Sequence, residues 1–168
     1  MGGQQAGCIG LLTLYAARCS PTGVVAYDES VEKLAKSLGL PVFPSVRNPE
    51  FCETLSKSDV LVSAHGREIV PKRLLGTPQL GGINVHPCLY RYKGADPVGR
   101  LLKEGNPKAS VGVHCMTEKV DEGEVLVEEF VQVDGKDTVE SIYNALYPYY
   151  AITLVKALGI MTERFQKG

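Results

Sequence analysis

The stretch Gly82–Gly94, GINVHPCLYRYKG, organises the rest of the chain. Its short β-branched run carries Asn84 and His86 at alternate positions, so both side chains point to one face of a strand. Pro87 has no N–H and fixes its own φ, which predicts that the strand ends at His86. An amide and an imidazole then lie at the carboxyl end of a strand, where open α/β sheets place their ligands. Ordinary hydrogen-bonding groups in a turn would give the same spacing, and the spacing alone favours neither interpretation.

The composition is that of a globular protein with one core. The chain has 168 residues, 44% of them hydrophobic and 22% charged, which predicts a single domain over residues 1–168. A net charge of −1 indicates no general attraction to nucleic acid or membrane. Residues 67–108 hold eight Lys/Arg against three Asp/Glu, whereas residues 117–140 hold nine acids against two lysines. The basic part would favour an anionic ligand, although solvated surface charge is the commoner explanation.

The cysteines and the hydropathy pattern bear on the compartment. Five scattered cysteines without a C-x-x-C pair predict reduced thiols rather than a disulfide framework or a structural zinc site. No apolar run approaches the roughly 18 residues that a spanning helix needs, and no cleavable leader is recognisable. We therefore expect a soluble, cytoplasmic protein without membrane contact.

Strand and helix signals alternate along the chain after a glycine-rich loop at residues 2–7. The predicted strands cover 23–27, 40–43, 60–64, 83–86, 110–116 and 125–133, and the predicted helices 8–19, 30–38, 49–55, 71–75, 97–104 and 140–158. This order predicts an α/β fold with a mainly parallel sheet covered on both faces. The connection at 117–124 is too short for a helical crossover, so the last two strands should be antiparallel. Pro148 should kink or split the closing helix.

A second candidate position is the turn Val120–Gly123, VDEG. An acid in a hairpin turn is ordinarily only turn chemistry, and Asp121 alone favours that explanation. If the antiparallel pair lies beside the strand that ends at His86, however, Asp121 can reach the imidazole. Asparagine, histidine and aspartate in one cleft would supply an amide donor, a tunable acid or base, and a carboxylate that orients the imidazole or accepts a proton.

These motifs together resemble the folate-dependent formyltransferases, a family that includes glycinamide ribonucleotide, methionyl-tRNA and amino-sugar formyltransferases. The likeness runs from about Val24 to Leu158 and depends on four motifs in order. They are Gly82-Ile83-Asn84-Val85-His86-Pro87, Tyr92-Lys93-Gly94, Gly112-Val113-His114 and Val120-Asp121-Glu122-Gly123. The resemblance implies a Rossmann-like three-layer domain with an antiparallel C-terminal pair.

The resemblance also implies a reaction. Asn84, His86 and Asp121 match the family's catalytic trio, and 10-formyltetrahydrofolate would be the formyl donor, with no metal. Asn84 and a protonated His86 would stabilise the oxyanion that forms when an amine attacks the formyl carbon. Asp121 would balance the histidine charge and help to move the amine proton to the folate nitrogen.

The partners implied are a reduced folate and a small amine, which we expect to be phosphorylated or nucleotide-linked, and nucleic acid is not expected. By the same likeness, the pterin would lie between two segments, with His114 more a support of the site than a proton carrier. The two segments are Arg67, Glu68, Ile69 and Val70, and Glu118, Lys119 and Val120.

Two departures from the family pattern bear on activity. The loop after Pro87 is one residue shorter than usual, which bears on acceptor specificity. The family's first buried strand is missing as well, because only Met1 precedes the glycine-rich loop. That absence would expose strand edges, require a rearrangement of residues 7–14 or indicate a truncated form. An unpaired strand edge or an apolar closing helix could also support a homodimer.

Three other hypotheses remain open from the sequence. The chain could be an inactive folate-binding or interaction homologue that lost turnover with the first strand. Cys88 could act as a nucleophile with His86 as its base and Asp121 as the group that orients the base. His86, His114 and Asp121 could hold a metal ion.

Overall fold

The computed structural model describes residues 1–167, in which helices and strands alternate as predicted. The helices are α1 (Gln4–Ala16), α2 (Glu29–Ser37), α3 (Pro49–Ser56), α4 (Lys72–Leu75), α5 (Pro97–Lys103) and α6 (Val139–Lys167). The strands are β1 (Val24–Val25), β2 (Val42–Phe43), β3 (Leu61–Ala64), β4 (Gly82–Pro87), β5 (Lys108–Cys115) and β6 (Val125–Gln132). No helix within residues 1–167 is long and apolar enough to cross a membrane.

The strands form a parallel part followed by an antiparallel part. Strands β1 and β2 pair in parallel as a two-stranded sheet, and a four-stranded sheet has the order β3-β4-β5-β6. Strand β4 is parallel to β3, whereas β5 is antiparallel to both β4 and β6. The predicted antiparallel pair is therefore confirmed, and the reversal of direction falls beside β4, the strand that carries Asn84 and His86.

The first three residues join the two sheets. Gly2 forms parallel bridges to both Ala26 and Ala64. Its N–H donates to Val25 O at 3.0 Å, and the Gly3 N–H donates to Ala64 O at 3.2 Å. Residues 1–3 thus take the position of the central strand expected from the family, with Gly2 bridged to both neighbouring strands. Beside it, between β1 and β3 and over α1, lies a cavity of about 490 Å³.

Helices cover both faces of the sheet, which confirms the three-layer α/β fold. On one face α1, α5 and α6 bury a core that includes Ile83, Val85 and Leu146. On the other face, α3 and α4 pack Phe51 and Leu74 against β1 and β3. Strand β4 contributes Ile83 and Val85 to the first of these cores, and this packing fixes the position of β4 within the sheet.

The start of α1 differs from the sequence prediction. Residues 4–7 were predicted as loop but form the first turn of α1, with Gly3 as N-cap and the Gly7 N–H donating to Gly3 O at 2.9 Å. A Cβ at Gly7 would lie 2.9 Å from the Gly2 carbonyl carbon. Glycine is therefore needed here for close packing of the helix against the bridging segment, and not for loop flexibility.

The prediction for Pro87 was wrong in detail, and the split that was one of two alternatives at Pro148 is not found. Pro87 is the last residue of β4 and pairs with Val111, so the strand extends one residue further than predicted. Helix α6 is not split at Pro148 but runs for 29 residues. Leu146 and Tyr150, on either side of this proline, are both buried in the core, so packing stabilises the helix across it.

Candidate active site

Strand β4 brings Asn84 and His86 to the same end of the sheet, as the alternation of its side chains predicts. Asn84 lies in register with Ser63 of β3 on one side and with His114 of β5 on the other. His114 is therefore placed next to Asn84 by strand pairing alone. The register pair of His86 is Gly112, where a Cβ would lie 2.6 Å from the Leu89 side chain, so this glycine makes room for Leu89.

The turn between β5 and β6 carries Asp121 back over the end of β4. Asp121 has a left-handed φ of +54°, a conformation that non-glycine residues adopt mostly under local constraint. Two residues later, a Cβ on Gly123 would lie only 1.7 Å from Cys115 O. The absence of a side chain at 123 lets the turn pack directly on the end of β5. This contact accounts for the spacing of the Asp-x-Gly motif.

The three predicted catalytic side chains lie together around the Asp121 carboxylate. Oδ2 lies 2.9 Å from His86 Nε2 and accepts the Gly94 N–H at 2.7 Å. Oδ1 lies 3.3 Å from His114 Nε2 and accepts from Asn84 Nδ2 at 3.4 Å. One carboxylate thus connects strands β4 and β5 with the loop at Gly94.

The cluster is largely excluded from water. His86, His114 and Asp121 are 7%, 2% and 8% exposed. Burial opposes ionisation of Asp121, but hydrogen bonds from His114 and His86, the charge of His86 and the Gly94 N–H outweigh it and hold the pKa of Asp121 well below its usual range. Asp121 is therefore an anion at neutral pH, able to orient an imidazole and to exchange a proton through it.

A cleft of about 340 Å³ opens beside this cluster, within the range of small-molecule sites. It is lined by Asn84, His86, His114 and Asp121 together with Arg67, Glu68, Ile69, Val70, Lys119 and Val120. Six of the seven residues predicted to hold the pterin therefore line this cleft. Two of them, Ile69 and Val120, are apolar side chains that are 70% and 53% exposed.

Two of the predicted folate contacts point elsewhere. The Glu68 carboxylate accepts from Tyr27 Oη at 3.0 Å and Ser45 Oγ at 2.6 Å, so its side chain secures the loop below the cleft. Glu118 does not line the cleft but forms an ion pair with Lys72 of α4. The sequence does not reveal these partners, because all three lie far from the acids along the chain.

The sequence analysis assigned no role to His65 or to the backbone of Gly94. His65 follows β3, lines the cleft with a left-handed φ of +58°, and its Nε2 lies 3.4 Å from Tyr143 Oη. Burial lowers the pKa of His65, and Arg67 and His86 lower it further. A polar turn directly after a buried strand was the signal that could have identified His65.

The geometry bears on two of the open hypotheses. Cys88 is fully buried, and burial raises the pKa of its thiol to about 11, so the reactive thiolate is disfavoured. A thiol mechanism therefore receives no support from the site. Within residues 1–167, no group of three or more His, Cys, Asp or Glu side chains could hold a metal ion.

The fold and site define a known class of protein, and the chain belongs to the formyl transferase family, whose model matches residues 27–158. It is 33% identical over 136 residues to a methionyl-tRNA formyltransferase from Syntrophus aciditrophicus, covering 78% of this chain and 44% of that protein. It is also 33% identical over 125 residues to the bifunctional polymyxin resistance protein ArnA of Wigglesworthia glossinidia brevipalpis, covering 71% of this chain and 19% of that protein. The chain thus spans less than half the length of these curated relatives.

Solved structures confirm the fold. A phosphoribosylglycinamide formyltransferase from Bacillus halodurans superposes with a TM-score of 0.78 at 18% identity, covering 94% of this chain and 92% of that one. A formyltetrahydrofolate deformylase from Pseudomonas syringae gives 0.80 at 21% identity, covering 98% and 60%. At these identities the likeness shows the formyltransferase fold alone.

Proposed function

We propose that this chain transfers the formyl group of 10-formyltetrahydrofolate to a primary amine. The observation that carries the proposal is the contact of Asp121 with both His86 and Asn84 at the edge of a cleft. An amide donor, an imidazole and a carboxylate are the groups that acyl transfer to an amine requires, and here they converge from two strands and a loop. Family membership supports the same reaction.

In the proposed reaction the free amine attacks the formyl carbon and the formyl oxygen becomes an oxyanion. Asn84 Nδ2 and the N–H of His86 donate hydrogen bonds to that oxyanion. Both side chains line the cleft yet are mostly shielded from water, so their dipoles act in a medium of low dielectric. The tetrahedral intermediate then collapses with loss of the folate nitrogen, and no covalent enzyme intermediate is needed.

Asp121 handles the proton in this scheme. The attacking nitrogen must lose a proton and the departing folate nitrogen must gain one. Asp121 is anionic and lies within hydrogen-bonding distance of His86 Nε2, so it can accept the first proton, directly or through a water molecule, and return it. The Gly94 N–H fixes one carboxylate oxygen while this happens.

For the donor, we propose that the pterin lies between the segments 67–70 and 118–120. Arg67, Ile69, Val70, Lys119 and Val120 line the cleft and can enclose a flat heterocycle by backbone and apolar contact. Glu68 and Glu118 would act indirectly, since the first secures its own loop and the second pairs with Lys72.

For the acceptor, we propose a small amine, phosphorylated or nucleotide-linked, on the strength of the basic stretch 67–108. Two of the basic side chains in this stretch already have partners within the protein. Arg91 is paired with Glu104 at 2.9 Å, and Arg100 donates to the Lys93 carbonyl at 2.5 Å. Asp28 accepts from the Gln4 N–H, so a carboxylate already occupies the amino end of α1, where a phosphate would otherwise be favoured.

A second candidate is a folate-binding homologue without turnover. The cavity between β1 and β3 favours it, because open space beside residues 1–3 gives this part of the domain fewer contacts to hold a catalytic geometry. Folate would then bind as proposed, but no formyl group would leave it.

The discriminating experiment follows release of tetrahydrofolate from 10-formyltetrahydrofolate with a panel of primary amines. We expect amine-dependent release that falls at least about 100-fold in Asn84→Ala, because an oxyanion donor is lost, while Cys88→Ser stays active. Release abolished by Cys88→Ser alone would contradict the scheme. Folate binding without release would establish the second candidate instead.

A further inference from the structure

The proton balance of the proposed reaction leaves one proton without a route. A primary amine is mostly an ammonium ion at neutral pH, because the pKa of such amines is roughly 8 to 10. Its nitrogen carries three protons, whereas the nitrogen of the formamide product carries one. One of the two lost protons goes to the departing folate nitrogen. The other must leave before the attack, because only a free electron pair on nitrogen can form the new bond, and it must reach the solvent.

Asp121 is poorly suited to accept this first proton, because both of its oxygens already have partners. Oδ2 accepts the Gly94 N–H and lies 2.9 Å from His86 Nε2. Oδ1 accepts from Asn84 Nδ2 and lies 3.3 Å from His114 Nε2. These contacts hold the pKa of Asp121 well below its usual range, and such a carboxylate is a weak base. Asp121 can relay the second proton, which is far more acidic once the nitrogen has attacked, but the first needs another base.

His65 lines the same cleft and has a free ring nitrogen. Its Nε2 lies 3.4 Å from Tyr143 Oη, and the two ring centroids are 5.6 Å apart. No group within residues 1–167 forms a hydrogen bond with the other ring nitrogen, Nδ1. Burial raises the pKa of Tyr143 to about 12, so its hydroxyl is uncharged and its oxygen can accept the Nε2 proton. Nδ1 then keeps its electron pair.

The groups around His65 favour its uncharged form. Burial lowers the pKa of His65, and two positive groups lower it further, Arg67 from its own loop and His86 from β4. Asp28, at the start of α2, acts in the opposite direction. Tyr143 faces the ring from α6 and carries no charge at neutral pH. An imidazole that is uncharged at neutral pH is a suitable base for an ammonium ion.

His65 also lies on the part of the cleft that the pterin would leave open. Outside the two segments proposed to hold the pterin, the lining includes His65 and, from residues 94–97, the exposed side chain of Asp96. Besides burial, the charge of Asp96 raises the pKa of Tyr143, which places these two side chains near each other. An ammonium ion that enters here meets a carboxylate and then an unprotonated imidazole nitrogen.

We propose that His65 Nδ1 takes the first proton from the acceptor ammonium ion, and that Tyr143 is a positioning residue that accepts the Nε2 hydrogen bond. This role of His65 rests on the proposed function. One N–H bond of the ammonium ion breaks, its electron pair stays on the nitrogen and attacks the formyl carbon, and the proton bonds to Nδ1. The imidazolium then releases that proton to water. Asp121 keeps its part in the transfer of the second proton to the folate nitrogen.

The kinetic test compares two amines across pH 6.5 to 8. Glycinamide is largely protonated at the lower end of this range, whereas hydroxylamine is already uncharged. With glycinamide, kcat/KM of the unchanged protein should be level, because His65 removes the proton. In His65→Gln only the free amine from solution can react, so kcat/KM should be lower and rise nearly tenfold per pH unit toward the pKa of the amine. With hydroxylamine the two proteins should agree.

Tyr143→Phe keeps the ring and the packing of α6, so it should lower kcat/KM several-fold and leave the profile with glycinamide level. A loss in His65→Gln that is equal for both amines and at all pH values would indicate a structural role and overturn the proposal. The same level profile in His65→Gln and in the unchanged protein would overturn it as well.

NMR of protein labelled with ¹⁵N-histidine tests the proposal without turnover. The chain has three histidines, and His65→Gln identifies the signals of this ring. At pH 7 we expect the proton on Nε2 and none on Nδ1. With 5-formyltetrahydrofolate bound, added glycinamide should shift the Nδ1 signal. A proton on Nδ1 of the free protein, or no shift with glycinamide, would overturn the proposal. A shift of Nδ1 without turnover of any amine would support the role of His65 in amine binding and contradict the proposed function instead.

Discussion

The two halves of the sheet differ in how they are held together. From β3 to β6, four strands form a continuous ladder, and the Asp121 cluster joins β4 and β5 at its edge. From β1 to β3, residues 1–3 span the gap, beside a cavity of about 490 Å³. The proposed chemistry is therefore concentrated in the half that forms a complete ladder, and the weaker half, from β1 to β3, borders α1.

This contrast predicts that the two halves of the sheet contribute differently to catalysis and to stability. A change in the complete half should affect the reaction far more than a change in the other half does. A change near Gly2 should affect stability first. The predictions below test that separation, from the largest expected effect to the smallest.

The largest effect is expected from Asp121→Asn. The amide keeps the shape but cannot accept the amine proton or balance an imidazolium, so kcat/KM should fall by about 10²- to 10⁴-fold. Steady-state kinetics with folate release checks this. Glu122→Gln is the matched control, because this neighbouring acid contacts only Lys119 at 3.9 Å among the described ion pairs. Equal losses in both variants would contradict the assignment.

The second effect concerns the weaker half and the pH. The Met1 amino group donates a hydrogen bond to Val62 O at 2.6 Å. Burial lowers the pKa of this amino group from 8.0 to about 5. The unfolded chain binds this proton more tightly, so the free energy of unfolding should rise between pH 5 and 8, by at most about 4 kcal/mol.

Urea melts of the 168-residue chain across this range measure that rise. Acetylation of the amino group removes the charge and should flatten the profile. A stability profile that is the same with and without acetylation would show that the amine is not buried beside β3.

The third effect concerns the turn that carries Asp121. Gly123→Ala would place a Cβ 1.7 Å from Cys115 O, so the turn must move and the free energy of unfolding should fall by more than about 2 kcal/mol. Activity should fall as well, because Asp121 moves with the turn. Chemical denaturation and kinetics measure both. Gly159→Ala, inside α6 with nothing within 4 Å of the new Cβ, should instead be neutral or slightly stabilising.

The smallest effect is a difference in hydrogen exchange between matched residues. Val25 of β1 and Val113 of β5 are both fully buried. Val113 lies within a ladder on both sides, whereas Val25 is bordered on one side by β2 and on the other by the short segment 1–3. We expect the Val25 amide to exchange at least about tenfold faster. Equal protection of the two amides would mean that the halves open together.

The sequence predicted the complete half well because its signals are local. Alternation along β4 put Asn84 and His86 on one face, and the short 117–124 connection required an antiparallel pair. The meeting of Asp121 with His86 was a hypothesis from the same reasoning, and the two side chains do lie in contact. Their catalytic roles stay predictions.

The remaining details depend on contacts between distant residues. Residues 4–7 look like a loop by composition, yet Gly7 packs against Gly2 and the helix starts there. Glu68 lines the cleft, but its carboxylate accepts hydrogen bonds from Tyr27 and Ser45. Such preferences are set by tertiary packing, which a single sequence does not encode in any local pattern.

The most direct measurement of the central claim is a crystal structure of this chain with 5-formyltetrahydrofolate, a stable analogue of the donor. We predict the pterin between the segments 67–70 and 118–120, with its formyl group next to Asn84 and His86 and Asp121 in contact with His86. A pterin bound outside this cleft, or Asp121 turned away from His86, would contradict the account.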